Sequence, residues 1–420
     1  MGGSLGKFVI EGGKKLVGEV TVQGAKNAAL PLLAAAVMTD EKVTIHNVPD
    51  LLDIKNMLKI LQNQGVFVEK KGKDVTVVAK GMNSESIGYS LAKELRSSVF
   101  LLGAVLAKKK RVVVAYPGGC DIGLRPIDIH LKALRDLSVR VEEKAGYVFC
   151  DATEMKCGEV CLDYPSVGAT ENVMLAATTV KGRTVIYNAA REPEIVELQN
   201  FLNSSGAKVS GAGTPKITVY GTDALCGADY TVMPDRIVAG TYLISVVMNG
   251  GEVALKGVKR GQLNSLISKL TKNSCNIVWD NDIIYIKADG RPKATDYVST
   301  QPYPGFPTDL QAPFTALQTV SNGTCVLTEN IFENRFRHVP ELRKMGADII
   351  IRDRTAVIKG VKNLVGAEVY AQDLRGGAAL VLAGLAAKGI TVVNDVYHID
   401  RGYENIETNF KNIGANITRI

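Results

Sequence analysis

Residues 182–190 read GRTVIYNAA: a glycine, a short alternating run that suits a half-buried strand, then an asparagine and small residues that end it. The same shape recurs as EKVTIHNVP from Glu41, KRVVVAYPG from Lys110, GEVALKGVK from Gly251, GTCVLTENI from Gly323 and GITVVNDVY from Gly389. Starts about 70 residues apart mark an internal repeat, and a repeat decides the architecture before any single element is assigned.

Outward from each strand, an apolar helix-like run precedes it and an amphipathic helix follows. The second helix carries apolar residues at three- and four-residue spacing, such as Ile127, Leu131 and Leu134, or Ile195, Leu198 and Leu202. A strand pair around a small-residue turn completes each unit, entered at GVFVEK (Gly65), SVRVEE (Ser138), GAKVSG (Gly206), SCNIVW (Ser274), GADIII (Gly346) and GANITR (Gly414). The sixth unit reaches only the middle of its pair, whereas the N-terminal segment offers an unclaimed pair, KFVIEGG and LVGEVTVQG. The expected closure is circular, with the N-terminal segment completing the last unit. The result is an α/β fold of two domains with three units each: residues 1–24 with 233–420, and residues 25–232. Two strand-like connections, one near residues 230–234, are expected to form a double-stranded hinge about which the domains close on a ligand.

Hydrophobic residues at 46% and charged ones at 22% describe an ordinary globular chain, and 420 residues leave room for more than one core. A net charge of +7, a single dense basic run at residues 108–111 and 6% aromatics argue against nucleic acid and for small anionic substrates. Seven cysteines are an odd number and MGGSLGKFVIEGG holds no secretory signal, so a reduced, cytoplasmic setting is expected. Cys157 and Cys161 lack a second pair at metal spacing, and no metal is expected. The longest apolar stretches, 28–38 and 376–387, fall short of the ~20 residues that span a bilayer, so no membrane segment is expected.

Chemistry concentrates in residues 116–137, YPGGCDIGLRPIDIHLKALRDL, a Gly-rich turn running into a helix with Pro126 suited to its first position. Cys120 sits at the tip of that turn. Arg125 stands where the helix begins, so its guanidinium, free N–H groups and the positive helix end face one anion. An incidental thiol and a solvated charge fit the stretch equally well. Elsewhere, polar residues interrupt the apolar pattern at the start of each first helix: Lys26 with Asn27, Arg96, Thr170 with Glu171 and Asn172, Asp235 with Arg236, Asp309, and Asp373 with Arg375. The loops before the second helices add Arg191, Glu192, Arg335 and Arg401. Helix N-termini gathered at a pseudo-threefold axis make an anion-binding centre. Each residue also has a plain reading: Thr308 and Gln311 fit a capping box, Asp309 suits the dipole by ~0.3–1 kcal/mol, and Arg96 or Arg375 fits a solvated helix end. Recurrence at equivalent positions favours function.

Nine blocks in order, VQGAKNAALPLLAA (Val22), PGGCDIGLRPIDIH (Pro117), SVGATENVMLAA (Ser166), AAREPEIVEL (Ala189), MPDRIVAGTYL (Met233), FPTDLQAPF (Phe306), ENRFRHVPEL (Glu333), DLRGGAALVLAGL (Asp373) and HIDRGYE (His398), make the chain resemble the enolpyruvyl transferases over essentially its whole length. The resemblance implies two inside-out α/β domains of three repeats each. It implies, too, transfer of the enolpyruvyl group of phosphoenolpyruvate to the 3'-hydroxyl of UDP-N-acetylglucosamine, with release of phosphate, no cofactor and no metal. That reaction opens peptidoglycan synthesis in the cytoplasm and is the target of fosfomycin. Carried over by motif, Lys26, Asn27, Arg125, Arg375 and Arg401 hold phosphoenolpyruvate. The sugar nucleotide meets Asn27, Arg96, Arg125, Pro126, Ile127, Asp128, Ile129, Tyr164, Pro165, Ser166, Val167, Asp309 and Ile331. Catalysis falls to Cys120, Asp309, Lys26 and Arg401: Asp309 takes the hydroxyl proton as the sugar attacks C2, and Cys120 protonates C3. A thiol is mostly protonated at neutral pH and suits an acid, while Arg125 beside it favours thiolate and nucleophilic behaviour, so both roles stay open. Asp309 at a helix start is a weak base until closure and desolvation raise its pKa.

Two departures stand out: Leu137, Ser138 and Val139 replace Leu-Gly-Ala, and the pair Gly376 and Gly377 is expected to loosen the helix start after Arg375. The partners expected are these two small molecules alone, with the chain a monomer. Two rival readings remain. One is the shikimate 3-phosphate branch of the same family, which the PGGC and KNAALP blocks oppose; the other is a catalytically silent nucleotide-sugar sensor, which would bind the sugar and release no phosphate.

Overall fold

A computed structural model of the chain describes residues 6–87, 99–116, 127–273 and 275–420. The chain divides into two compact units, one built from residues 24–116 and 127–233 and the other from 6–23 and 234–420. Each is an α/β domain of three repeats, and each repeat owns one four-stranded sheet.

The sheets share one plan. In the first unit, strand Val43–His46 runs antiparallel to Asp74–Val78, which pairs antiparallel with Phe67–Lys71. The fourth strand is parallel and comes from another repeat: Asp229–Thr231 on Val43–His46, Ser86–Ile87 on Arg111–Ala115, and Glu159–Cys161 on Arg183–Tyr187. Each repeat thus hands its last strand to the next, and the third hands its strand back to the first.

The second unit closes the same ring with the N-terminal segment. Strand Phe8–Glu11 lies between Ile390–Asn394 and Asn416–Arg419, antiparallel to both, and completes the sixth repeat as the sequence pattern requires. The adjoining strand Leu16–Thr21 departs from expectation. It is not a hairpin partner of Phe8–Glu11 but runs parallel to Gly251–Lys256 in the sheet of the fourth repeat. The reason is the handed-on strand: Tyr297–Ser299 and Glu368–Tyr370 serve the fifth and sixth repeats, and Leu16–Thr21 is the piece that closes the ring. Gly251 (φ 122°) admits it, because a Cβ there would lie 2.0 Å from the Leu16 carbonyl oxygen.

The first helix of each repeat is apolar on every side, the mark of a helix surrounded by protein. In Lys26–Ala35 all residues but Asn27 are buried, and helices Arg236–Asn249, Gln311–Val320 and Leu374–Ala386 pack against one another at the centre of the second unit. Buried helices inside and sheets outside make each unit inside-out. The second helices are amphipathic, as in Leu52–Asn63, where Ile54, Met57, Leu58, Ile60 and Leu61 face the core. No described helix is long and apolar enough to cross a membrane.

Two polar residues inside these helices are paired across the core. Asn172 accepts from the Gly103 N–H (2.7 Å) and donates to the Val99 carbonyl (3.0 Å), stapling helix Val167–Ala177 to Phe100–Lys109. Thr170 donates to the Ser166 carbonyl and accepts from the Ala190 N–H. Both residues flagged in the sequence as site candidates therefore act as internal struts.

Candidate active site

In the first unit Lys26 opens helix Lys26–Ala35 with its side chain turned inward, and its Nζ meets Asp53 Oδ2 at 3.0 Å. Asp53 lies in the first turn of helix Leu52–Asn63 and is itself buried. A pair this buried is held by mutual charge against a desolvation cost of several kcal/mol. Its sequence signal was a lone acid in an apolar run, LLDIKNML, and the partner was invisible there. Asn27 beside it is half-buried.

Two further segments of this unit come together. Ile127, Asp128 and Ile129 begin helix Asp128–Asp136, and Tyr164, Pro165, Ser166 and Val167 lead into helix Val167–Ala177, which Ser166 caps through the Ala169 N–H. His130 joins them: its Nδ1 lies 2.9 Å from Asn172 Nδ2, and its ring sits so close to Gly168 that a Cβ there would approach Cε1 to 2.8 Å. Asp128 and Tyr164 are exposed, while Ile127 is buried. Arg96, Cys120, Arg125 and Pro126 lie outside the described residues.

Arg191 and Glu192 are half-buried ahead of helix Pro193–Ser204. Glu171 behaves differently from an anion-site residue. It is wholly buried, neither carboxyl oxygen has a hydrogen bond among the described residues, and burial, with Glu194 and Glu192 adding, pushes its pKa well above the usual range. It is a neutral acid.

In the second unit the centre is Asp309, in the 3-10 turn Thr308–Leu310. Arg335 Nη2 donates to Oδ1 at 2.6 Å and Arg375 Nη2 to Oδ2 at 3.1 Å. The two arginine side chains are 3% and 4% exposed, whereas that of Asp309 is 26% exposed, so the carboxylate is the group left facing outward. Burial opposes the charge on Arg375, but Asp309, Tyr403 and Asp235 outweigh it and hold the guanidinium protonated well above its ordinary pKa. The Asp309 turn is fixed from below by buried Glu329, which accepts from Thr308 Oγ1 and Thr300 Oγ1 (both 2.9 Å) and from the N–H groups of Ile331 and Phe332. The capping box expected of Thr308 and Gln311 is not made: the hydroxyl goes to Glu329, and Gln311 reaches Thr315 Oγ1 at 3.4 Å.

Arg375 is the second residue of helix Leu374–Ala386, capped by Asp373 through the N–H groups of Arg375 (3.0 Å) and Gly376 (2.8 Å). The glycine pair does not loosen this start. A Cβ on Gly376 would lie 2.7 Å from Asp373 Oδ2, and one on Gly377 2.7 Å from Ile399 Cγ1, so the pair permits close packing. His338 backs the same turn; burial drives its pKa down to about 4, against the pull of Asp373, and it is neutral. Arg401 ends the 3-10 turn Val396–Arg401 and is half-buried. Among the described residues no cluster of His, Cys, Asp and Glu is arranged to hold a metal.

Taken by itself, the second unit presents one carboxylate with two fixed cations behind it, the equipment for proton removal beside anionic groups, and the first unit, by itself, a buried ammonium at a helix start. A family model described as EPSP synthase (3-phosphoshikimate 1-carboxyvinyltransferase) matches residues 10–410. UDP-N-acetylglucosamine 1-carboxyvinyltransferase 2 of Caldanaerobacter subterraneus subsp. tengcongensis is 50% identical over 416 residues, covering 99% of this chain and 100% of that protein. UDP-N-acetylglucosamine 1-carboxyvinyltransferase of Myxococcus xanthus is 47% identical, covering 98% and 99%. The crystal structure of the enolpyruvyl transferase NikO from Streptomyces tendae superposes with a TM-score of 0.90 over 99% of each chain at 22% identity, a likeness of fold. Matched over nearly its whole length by the family model and by these relatives, the chain belongs to the enolpyruvyl transferase family, the family of EPSP synthase.

Proposed function

We propose that the chain transfers the enolpyruvyl group of phosphoenolpyruvate to the 3'-hydroxyl of UDP-N-acetylglucosamine, releasing phosphate, and so opens peptidoglycan synthesis in the cytoplasm. The observation that carries this reading is the Asp309 carboxylate, partly exposed and held by two buried guanidinium groups, in a chain half identical to a relative of that name. Lys26, Asn27, Arg125, Arg375 and Arg401 bind phosphoenolpyruvate. Asn27, Arg96, Arg125, residues 126–129 and 164–167, Asp309 and Ile331 bind the sugar nucleotide.

The reaction is an addition followed by an elimination. The sugar oxygen bonds to C2 as Asp309 takes its proton, while the Cys120 thiol delivers a proton to C3. In the second stage C3 gives a proton back, the C2–O bond to phosphate breaks, and the new double bond forms. Charge on the carboxylate and the leaving phosphate is met by lysine and arginine throughout. Fosfomycin sensitivity and a role in cell shape and division follow from this assignment.

The test is phosphate release from phosphoenolpyruvate with and without UDP-N-acetylglucosamine, with shikimate 3-phosphate as the alternative acceptor. Release that requires the nucleotide sugar and falls by about 10²–10⁴-fold in Cys120→Ala supports both substrate and acid. Release with shikimate 3-phosphate alone, or tight sugar binding without release, overturns the assignment.

A further inference from the structure

Behind the Asp309 pair lies a buried tyrosine that none of the chemistry above uses. Tyr403 is 2% exposed and follows Arg401 and Gly402. Its hydroxyl lies 2.9 Å from Thr241 Oγ1. Thr241 Oγ1 also donates to the Ile237 carbonyl at 2.9 Å; with its proton committed there, the phenol donates to threonine and its oxygen is left to accept from the neighbouring Arg375 guanidinium. The Arg375 guanidinium stands over the ring, 5.4 Å from its centroid. Burial raises the phenol pKa, and the neighbouring Arg375 works against that rise.

The backbone around Tyr403 is bolted in place. Gln23 donates to the Gly402 carbonyl at 3.2 Å and accepts from the Glu404 N–H at 2.7 Å, and the Tyr403 N–H donates to the Ile399 carbonyl at 3.0 Å. Gly402 packs on Leu374, the residue before Arg375, so closely that a Cβ would approach Leu374 Cδ2 to 2.7 Å. On the other side of the guanidinium, Nη2 is committed to Asp309, while buried Nη1 has no partner among the described residues. A buried guanidinium with Nη2 engaged and Nη1 unpartnered among the described residues depends on its neighbours for its orientation.

We propose that Tyr403 is a positioning residue for the reaction: backed by Thr241, it fixes the Arg375 guanidinium so that one arm holds Asp309 and the other is offered to an anionic group of phosphoenolpyruvate. The proposal rests on the reading of Arg375 as a phosphoenolpyruvate ligand. Packing alone would be served by phenylalanine, so the hydroxyl is the part that discriminates.

Tyr403→Phe and Thr241→Val are compared with wild type in phosphate release, each substrate varied in turn, and in a cycle with Arg375→Lys. Each removes one hydrogen bond and is expected to raise the KM for phosphoenolpyruvate about three- to tenfold, leaving that for UDP-N-acetylglucosamine unchanged. In the Arg375→Lys background either substitution adds nothing. Full additivity there, an equal rise for both substrates, or lowered thermal stability with unchanged kinetics overturns the proposal. If wild type releases no phosphate with the nucleotide sugar, the functional reading falls separately, and the same cycle is run on phosphoenolpyruvate binding by calorimetry. Weakening by Tyr403→Phe that vanishes with Arg375→Lys then sustains the role of Tyr403. No binding by wild type, or additive losses, ends it.

Discussion

Ser138 shows how a repeat constrains a single residue. It ends the second helix of its repeat with φ 65°, in the left-handed region, and stands where Gly65 (φ 82°), Gly206 (φ 91°), Gly346 (φ 89°) and Gly414 (φ 95°) stand in other repeats. Its N–H donates to the Arg135 carbonyl at 2.9 Å as that of Gly65 does to Gln62, so the turn is the same and only the side chain differs. A left-handed non-glycine residue costs roughly 1–2 kcal/mol, partly offset by the entropy a glycine loses on folding. Ser138→Gly is therefore expected to raise stability by about 0.5–1 kcal/mol, read as a higher denaturation midpoint; a midpoint at or below wild type contradicts the argument. At this scale the sequence was legible where a residue breaks its pattern. Lys26, Asp309 and Arg375 stood out as polar residues at apolar helix starts. Asp53, Glu329 and Tyr403 did not, because their importance lies in the buried partner each meets, and no spacing along the chain announces that partner. Thr308 misled for the same reason: a capping box satisfies its hydroxyl locally, and Glu329 offered a carboxylate instead.

Elements here are held by what ties the handed-on strand to its new sheet. In the first unit this fastener is His46, at the end of strand Val43–His46. Its Nδ1 lies 2.8 Å from Asp74 on the neighbouring strand, and its Nε2 lies 3.0 Å from Asp229 on the strand returned by the third repeat. Carboxylates accept and do not donate, so both ring nitrogens must carry protons, and the hydrogen bonds to Asp74 and Asp229 raise the pKa of His46 accordingly. Asn47 adds a bond from Nδ2 to the Val232 carbonyl at 3.0 Å, just as Asn188 does to Leu162 at 2.7 Å in the third repeat, which explains the recurring asparagine of the strand motif. A histidine whose folded pKa exceeds its unfolded value near 6.5 contributes its full stabilisation below that value and loses it as pH rises through the folded pKa. The three side chains are partly exposed, so the effect is small. The stability difference between wild type and His46→Gln is expected to be larger at pH 5.5 than at pH 9, by thermal melts in the same buffer series; a difference independent of pH refutes the imidazolium bridge.

For the whole molecule, the period of the short strands was enough to count six units and to assign Phe8–Glu11 to the last, because alternation and glycine punctuation are local properties. The destination of Leu16–Thr21 was not, since pairing with Gly251–Lys256 joins segments far apart in the chain through backbone bonds that any sequence can make. The consequence is that one short N-terminal stretch supplies strands to two sheets of the second unit. Phe8, Ile10, Leu16 and Val20 are all buried there, and burying each is worth about 1.5–3 kcal/mol. Together that rivals the roughly 5–15 kcal/mol that holds a typical domain folded. Removing residues 1–22 strips the sixth repeat of an inner strand and leaves the Gly251–Lys256 edge unpaired, whereas the three sheets of the first unit contain no part of the segment. The truncated chain is expected to lose the hydrogen-exchange protection of strands Gly251–Lys256 and Ile390–Asn394 while strands Val43–His46 and Arg183–Tyr187 keep theirs. A peptide spanning residues 6–22, added in trans, should restore it. Protection retained throughout without the peptide would mean that the ring of three repeats does not need its closing strand.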